Sequence, residues 1–383
     1  MADVEGLTEK IHEELKSLRL EKSEVPQGDI GPAMPQKEET KKMLKPNDLP
    51  YEIINGIPCY QSGHVLDGHV EIYERVGFDD RVGATYLGIG ADGKELVIRV
   101  GPDASTHVVR MEAAFLCKAE AENLWRFFSQ VHQIWQSEDA YHMTLYFRGG
   151  PTLEDCLNFC HGKFSYGTGG RFGLDILQIM RTTHSLGYLM RSVNPGSFHL
   201  DASSRHLFMA DISTLLKNVN EEGVAPYVGS LDFAPEAHHK GEGLTRRQEL
   251  ESWFYLFIYM LKGTLPWQAL PYDQVAGSKL MTSCNQLLFS DLPPQFARMY
   301  EIIKEKNSFQ PVSDEEYDQL EVLATEVYTI AGGITDHDKN FDFEREPTAE
   351  ELPRLFLVRN DEKTKALDRT QEDSNEKDVI LLD

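Results

Sequence analysis

Near residue 150 the hydrophobic pattern of the chain changes period, and that change constrains the fold more than any other feature. Before it, short apolar segments are separated by glycine turns. Residues 70–73, 84–88 and 95–100 read as strands, Asp92-Gly93 as the hairpin turn between the last two, and 141–147 as another strand. A helical pattern over 108–130, with Val109, Phe115 and Leu124 on apolar positions, lies among them. After residue 151 helical patterns dominate. A small strand-rich part followed by a larger helical part predicts an α+β, two-lobed fold. The longest apolar run, residues 253–261, is far too short to span a membrane and predicts a helix buried on all sides.

The 383 residues suffice for one large two-lobed domain, and a hydrophobic fraction of 41% supplies its core. Residues 1–47 read as a flexible extension rich in Lys, Glu and Pro. Leu7, Ile11, Leu15 and Leu18 give it a short amphipathic helix, either solvated or a docking element. Residues 48–335 form the domain, divided into an N-lobe of about 48–147 and a C-lobe of about 148–335. Residues 336–383 are a charged, mostly disordered tail whose start Phe341 and Phe343 pin to the domain.

Asp and Glu number 62 against 38 Lys and Arg, a formal charge of −24. That field argues against nucleic acid and anionic membranes as partners and tolerates basic proteins, although a plain solvated acidic surface explains it as well. Five cysteines without a Cys-x-x-Cys pair fit a reducing compartment better than a disulfide framework or a zinc site. The N-terminus carries no apolar signal segment.

Three segments carry a family resemblance. Gly150-Pro151-Thr152-Leu153-Glu154-Asp155, followed by Asn158-Phe159, is similar to the Gly-Pro-Ser-Leu-Glu-Asp stretch after the lobe hinge of casein kinase 1 enzymes. Arg246-Arg247-Gln248-Glu249-Leu250-Glu251-Ser252 resembles their Arg-Arg-Asp-Asp-Leu-Glu-Ser, and Gly263-Thr264-Leu265-Pro266-Trp267-Gln268 their Gly-Ser-Leu-Pro-Trp-Gln. Order and spacing agree over roughly residues 65–330. The resemblance extends to the tau-tubulin kinase branch and implies a bilobal protein-kinase-like fold.

Placed on that pattern, most catalytic stations are altered. The glycine-rich loop reads Gly77-Phe78-Asp79-Asp80-Arg81-Val82-Gly83, without its middle glycine and with carboxylates where a triphosphate would lie. Arg99 takes the place of the phosphate-holding lysine, and Glu112 matches its helix partner, a pair read as lobe-bracing rather than phosphate-binding. In Met190-Arg191-Ser192-Val193-Asn194-Pro195-Gly196-Ser197, Arg191 and Pro195 anchor the match. Ser192 replaces the catalytic base, Asn194 the lysine facing the transferred phosphoryl group, and Ser197 the magnesium-binding asparagine. A serine hydroxyl is no base near neutral pH without its own activator.

Asp211, in Asp211-Ile212-Ser213, retains one metal-binding carboxylate, a weak magnesium site at best; the plainer reading is that it caps loop amides. Asp232 reverses the charge of an arginine that in the family helps hold substrate phosphate. Glu249 stands where an aspartate caps the catalytic loop, and Tyr146 falls near the gatekeeper position, narrowing the adenine pocket. Gly77, Gly83, Arg99, Glu112 and Asp211 thus outline a degenerate nucleotide site with no intact catalytic set.

The resemblance and these departures together imply a pseudokinase acting as a protein-binding scaffold or allosteric regulator in signalling. ATP and Mg²⁺ are expected to bind weakly or not at all. The alternative is a weak or unorthodox protein serine/threonine kinase that uses Asp211 and a substitute base, with His184, His199 and Asp201 as candidates. Protein partners are expected, nucleic acid and membrane are not, and the family implies cytoplasm or nucleus; Lys41-Lys42 with Lys45 is too short for an import signal.

Overall fold

The computed structural model describes residues 51–330, except 103, 105–106, 138–139, 202, 218–224, 285 and 306–309, together with 341–344. The expected N-terminal helix and the tail beyond residue 344 lie outside the described residues.

Strands dominate up to the hinge. Glu52–Ile54 (β1) and Ile57–Cys59 (β2) pair as a hairpin. Val65–Leu66 (β3), Val70–Asp79 (β4), Gly83–Gly90 (β5), Glu95–Pro102 (β6), Val131–Gln136 (β7) and Ala140–Tyr146 (β8) form one antiparallel sheet in the order β3-β4-β5-β6-β8-β7. The β5–β6 turn uses Gly93 at φ +78°, which only glycine adopts freely. Ile57, Tyr60, Val70, Tyr86, Leu96 and Ile98 form a small core on one face of the sheet. Val108–Ala121 (α1) packs against β6, β7 and β8.

The helix expected over 108–130 stops nine residues early, because Asn123 turns left-handed at φ +59° and Leu124 N–H bonds back to the Ala119 carbonyl. Leu124 still packs against the core, but from beyond the helix. The freed residues run through turns into β7, whose half-buried side chains lack the alternation that would have announced a strand.

Helices dominate after the hinge: Leu153–Phe159 (α2) and Tyr166–Ser185 (α3). Four short strands follow, Tyr188–Leu189 (β9), Phe198–Asp201 (β10), His206–Met209 (β11) and Leu216–Lys217 (β12), paired β9–β12 and β10–β11. Then come Glu236–His239 (α4), Arg246–Lys262 (α5), Tyr272–Cys284 (α6), Gln295–Glu305 (α7) and Asp314–Ile330 (α8). The expected buried helix is α5: Trp253 to Ile258 are all at most 1% exposed. It crosses α3 at Gly173, where a Cβ would meet the Phe257 ring at 2.7 Å and where Trp253 Nε1 donates to the Gly173 carbonyl at 2.8 Å.

Local chemistry explains the motif segments. Thr152 and Asp155 form a reciprocal capping box that starts α2, each side chain taking the other's backbone N–H at 2.9 Å. Gly263, at φ +77°, ends α5. The Phe341 and Phe343 rings lie 5.1 Å apart, each facing Phe172 of α3, while Asp342 accepts hydrogen bonds from the backbone and hydroxyl of Ser165. The protein is an α+β, two-lobed molecule with a curled sheet in the first lobe and helices in the second. Among the described residues no helix is long and apolar enough to cross a membrane.

Candidate functional site

The β4–β5 turn holds its own anion. Asp79 Oδ1 accepts the backbone N–H groups of Arg81 at 2.8 Å and Val82 at 3.1 Å. These hydrogen bonds hold the exposed carboxyl below its ordinary pKa. Gly83 closes the turn at φ +95°, where a Cβ would strike the Val100 carbonyl at 2.4 Å. Gly77 is under no such constraint, since a Cβ there meets only Thr85 at 3.9 Å. Of the two expected loop glycines, one is required by backbone geometry.

Arg99 on β6 is fully engaged. Its Nε and Nη2 donate to the two Glu112 oxygens at 3.0 and 2.7 Å, Nη1 donates to the Thr85 hydroxyl, and Nη2 also reaches the Val82 carbonyl at 3.3 Å. Burial pushes the Glu112 pKa up; Arg99 opposes that shift, and the nearby Asp211 charge adds to it. The guanidinium therefore ties α1 to the sheet and to the β4–β5 turn, with its donors pointed at protein rather than outward.

Ser192, Asn194 and Ser197 converge. The Asn194 side-chain amide donates to Ser192 Oγ and to Ser197 Oγ, both at 3.0 Å, and both serines are nearly buried. The result is a closed, uncharged cluster. Among the described residues no carboxylate or imidazole is hydrogen-bonded to Ser192; its side-chain partner is Asn194. Ser192 Oγ and the Tyr227 hydroxyl both lie against Gly229, each 2.6 Å from where its Cβ would stand, and burial raises the Tyr227 pKa, so that phenol stays protonated.

The loop is held from below by Glu249 of α5. Its oxygens accept the Met190 N–H at 3.0 Å and the Arg191 N–H at 2.6 Å, and His184 Nε2 lies 2.7 Å away. His184 Nδ1 in turn meets the Tyr317 hydroxyl of α8 at 2.5 Å. His184 therefore braces the loop's foundation, with both ring nitrogens engaged. Arg191, at φ +61°, donates to the Pro226 carbonyl at 3.0 Å.

Of the other two substitute-base candidates, Asp201 is committed as well. Asp201 pairs with Arg148, which follows β8, and accepts from Ser203 and Ser204. Burial opposes this, but the hydrogen bonds prevail and keep its carboxyl ionised. His199 sits on β10 beside Phe208, with a hydrogen bond to the Gly150 backbone; burial lowers its pKa and keeps it neutral.

Asp211 Oδ1 accepts the Ser213 N–H at 3.1 Å and hydroxyl at 2.6 Å. It does cap a loop amide. One partly engaged carboxylate, with the Ser197 hydroxyl already taken by the Asn194 amide, is not a donor set that fits magnesium, which takes six oxygens in near-octahedral array. Among the described residues no three His, Cys, Asp or Glu side chains are grouped to hold a metal.

Tyr146 corrects an expectation. Register pairs Leu96 with Tyr146 and Val97 with Leu145. Alternation then sends Leu145 to the face of Arg99 and Met143, and Tyr146 to the opposite one. Tyr146 lies 5.1 Å from the His132 ring, with Lys94 Nζ 4.9 Å above it. Leu145, not Tyr146, shares the Arg99 face, where it packs into the main core.

The segment from Gly229 to Glu236 is fastened by groups that the motif reading passed over. Lys279 of α6, fully buried, donates to the Leu231 and Ala234 carbonyls at 2.6 Å each, between the rings of Tyr255 and Trp267. Asp232 accepts from Gln268 at 3.1 Å, and its carbonyl accepts from Trp267 Nε1 at 2.8 Å. Glu236, the last residue of an Ala-Pro-Glu triplet that protein kinases carry here, pairs with Lys304 at 3.1 Å. That triplet was available in the sequence; the role of Lys279 was not, because lysine rarely sits in a core.

No family model matches the chain. It is 27% identical over 286 residues to a "probable serine/threonine-protein kinase" of Dictyostelium discoideum, a match covering 71% of this chain and 56% of that protein. It is 26% identical over 206 residues to casein kinase I homolog 2 of Saccharomyces cerevisiae, covering 49% of this chain and 37% of the relative. Over 174 residues it is 26% identical to casein kinase I homolog RAG8 of Kluyveromyces lactis, covering 40% and 32%. The chain thus spans between about a third and about half of the length of these relatives. At these modest identities the chain is similar to serine/threonine kinases and casein kinase 1 homologues, and its two-lobed α+β fold is consistent with theirs.

Proposed function

We propose that the protein is a catalytically impaired, casein kinase 1-like pseudokinase that serves as a protein-binding scaffold or allosteric regulator in signalling. The observation that carries this reading is the neutral Ser192–Asn194–Ser197 cluster, in which each of the three groups satisfies another. Phosphoryl transfer depends on positioned charge, and this cluster supplies none. The Asp79 carboxylate on the turn amides and the engaged Arg99 donors favour the same reading. Its partners are proteins rather than nucleic acid or membrane, and its setting is the cytoplasm or nucleus.

A thermal shift with ATP and Mg²⁺ tests it. A ligand at one hundred times its dissociation constant adds about 2.7 kcal/mol of stability, and the reading expects no such gain. The alternative, a weak serine/threonine kinase, draws on the ordered Arg99–Glu112 pair and the Asp211 carboxylate beside it; a clear gain that Asp211→Ala removes would favour it.

A further inference from the structure

We infer that the start of α3 is a peptide-binding groove for the pattern aromatic-Asp-aromatic-Glu, filled here by residues 341–344 of the chain itself, and that a partner protein carrying the same pattern takes the groove by displacing them. Each of the four residues meets its own feature of the groove. Phe172, 0% exposed, is the floor: the Phe341 ring lies 4.9 Å from it and the Phe343 ring 6.2 Å, with Phe164 6.5 Å from Phe343. Ser165, which caps α3, donates its N–H and its hydroxyl to the two Asp342 oxygens at 2.7 and 2.9 Å, so this carboxylate sits at the positive end of a long helix. Thr168, 4% exposed, turns its hydroxyl oxygen to the Asp342 N–H at 3.1 Å. Arg205, in the β10–β11 turn, forks onto both Glu344 oxygens at 2.5 and 2.8 Å and lies 4.7 Å over the Phe341 ring.

The seated segment shows what the groove selects. Its acceptor-only side chains meet donors, the Ser165 N–H and hydroxyl and the Arg205 guanidinium, so a basic or neutral segment would leave those donors unmatched. The segment also carries its own shape. The Phe341 N–H donates to Glu344 Oε2 at 2.7 Å and the Glu344 N–H to the Phe341 carbonyl at 3.0 Å, a turn closed within the four residues. A partner segment with the same side chains forms the same turn and brings that preorganisation with it. The polar anchors are reachable from water. Ser165 is exposed, and the Arg205 and Glu344 side chains are 34% and 28% exposed. An incoming carboxylate therefore meets them without opening the core. A segment held in cis competes at an effective concentration on the order of millimolar, so exchange is governed by how firmly residues 341–344 are seated. The inference does not depend on the state of the nucleotide cleft.

Fluorescence anisotropy with a labelled peptide of residues 338–347 tests the inference on the full chain. The parent, its groove filled, should bind the peptide only weakly. Phe341→Asp combined with Phe343→Asp empties the groove and should tighten peptide binding at least about tenfold. In that background Arg205→Ala should loosen binding again about tenfold, and so should Asp342→Ala made in the peptide. Should the double variant fail to fold, Asp342→Ala in the chain keeps both rings, loosens the segment and should tighten peptide binding in the same direction. A folded chain with an emptied or loosened groove that binds the peptide no better than the parent overturns the inference and makes residues 341–344 a fixed part of the fold. Binding indifferent to both Arg205→Ala and the altered peptide overturns it as well, since the peptide then attaches elsewhere.

Discussion

Asp79 and Val82 are joined across the β4–β5 turn, the Asp79 carboxylate accepting the Val82 N–H at 3.1 Å. A glycine-rich loop offers such amides to phosphate oxygens; here a side chain of the same charge already holds them. Asp79→Gly should free two amides and remove a negative charge. Binding of a fluorescent ATP analogue, measured by anisotropy, should tighten several-fold. Unchanged or weaker binding would mean that the Asp79 cap is not what limits nucleotide affinity.

The Arg99–Glu112 pair is read as structural, and its energetics separate that role from phosphate binding. Both side chains are largely buried, 13% and 3% exposed. Arg99→Ala strands a buried carboxylate and should cost about 3–5 kcal/mol in urea unfolding. Arg99→Met combined with Glu112→Leu should recover most of that loss, because an apolar pair of similar volume replaces both charges. A small effect of the single change would argue that the pair does not brace the lobe.

Glu249 should govern the order of the loop above it. Glu249→Ala removes the acceptor of two backbone N–H groups and leaves His184 without its carboxylate, at a cost of about 3–5 kcal/mol. Amide exchange at Met190 and Arg191 should then accelerate well beyond the global change, while the β5–β6 ladder stays protected. Uniform acceleration throughout would mean that the carboxylate supports the fold in general rather than this loop.

Lys279 gives a pH dependence with a definite sign. Burial lowers its pKa from 10.5 to about 7, with Glu251, Asp232 and Glu236 opposing the shift. Between about pH 7 and pH 10.5 the unfolded chain therefore binds more protons at this site than the folded one, so its contribution to stability rises with pH over that window and is least below pH 7. Lys279→Met should flatten the stability profile from pH 7 to pH 10 relative to the parent. The level at a single pH is less diagnostic, because the variant also leaves the Leu231 and Ala234 carbonyls without their donor.

Much of the site was legible because its departures fall inside segments whose spacing is fixed. Gly150 to Asp155 could be recognised since a capping box ties those residue types to those positions; Ser192 and Asn194 lie between the anchors Arg191 and Pro195, and Ser197 two residues past the second. What the sequence hid was geometry. That Asn194 bridges the two serines depends on a backbone path that no motif encodes. Tyr146 was misread by one position, and in a strand one position is the opposite face. The helix over 108–130 ran long because Asn123, a residue at ease in the left-handed region, ends it without a glycine or proline to mark the stop. Strands β1 to β3 and β7 were missed because they are short or half-buried and carry little alternation.

The account stands most directly on phosphoryl transfer. Labelled phosphate from ATP and Mg²⁺ should not enter casein, or the protein itself, above the background of the Asp211→Ala variant. Incorporation that Asp211→Ala abolishes would contradict the central claim and show that the Ser192–Asn194–Ser197 cluster does not abolish phosphoryl transfer.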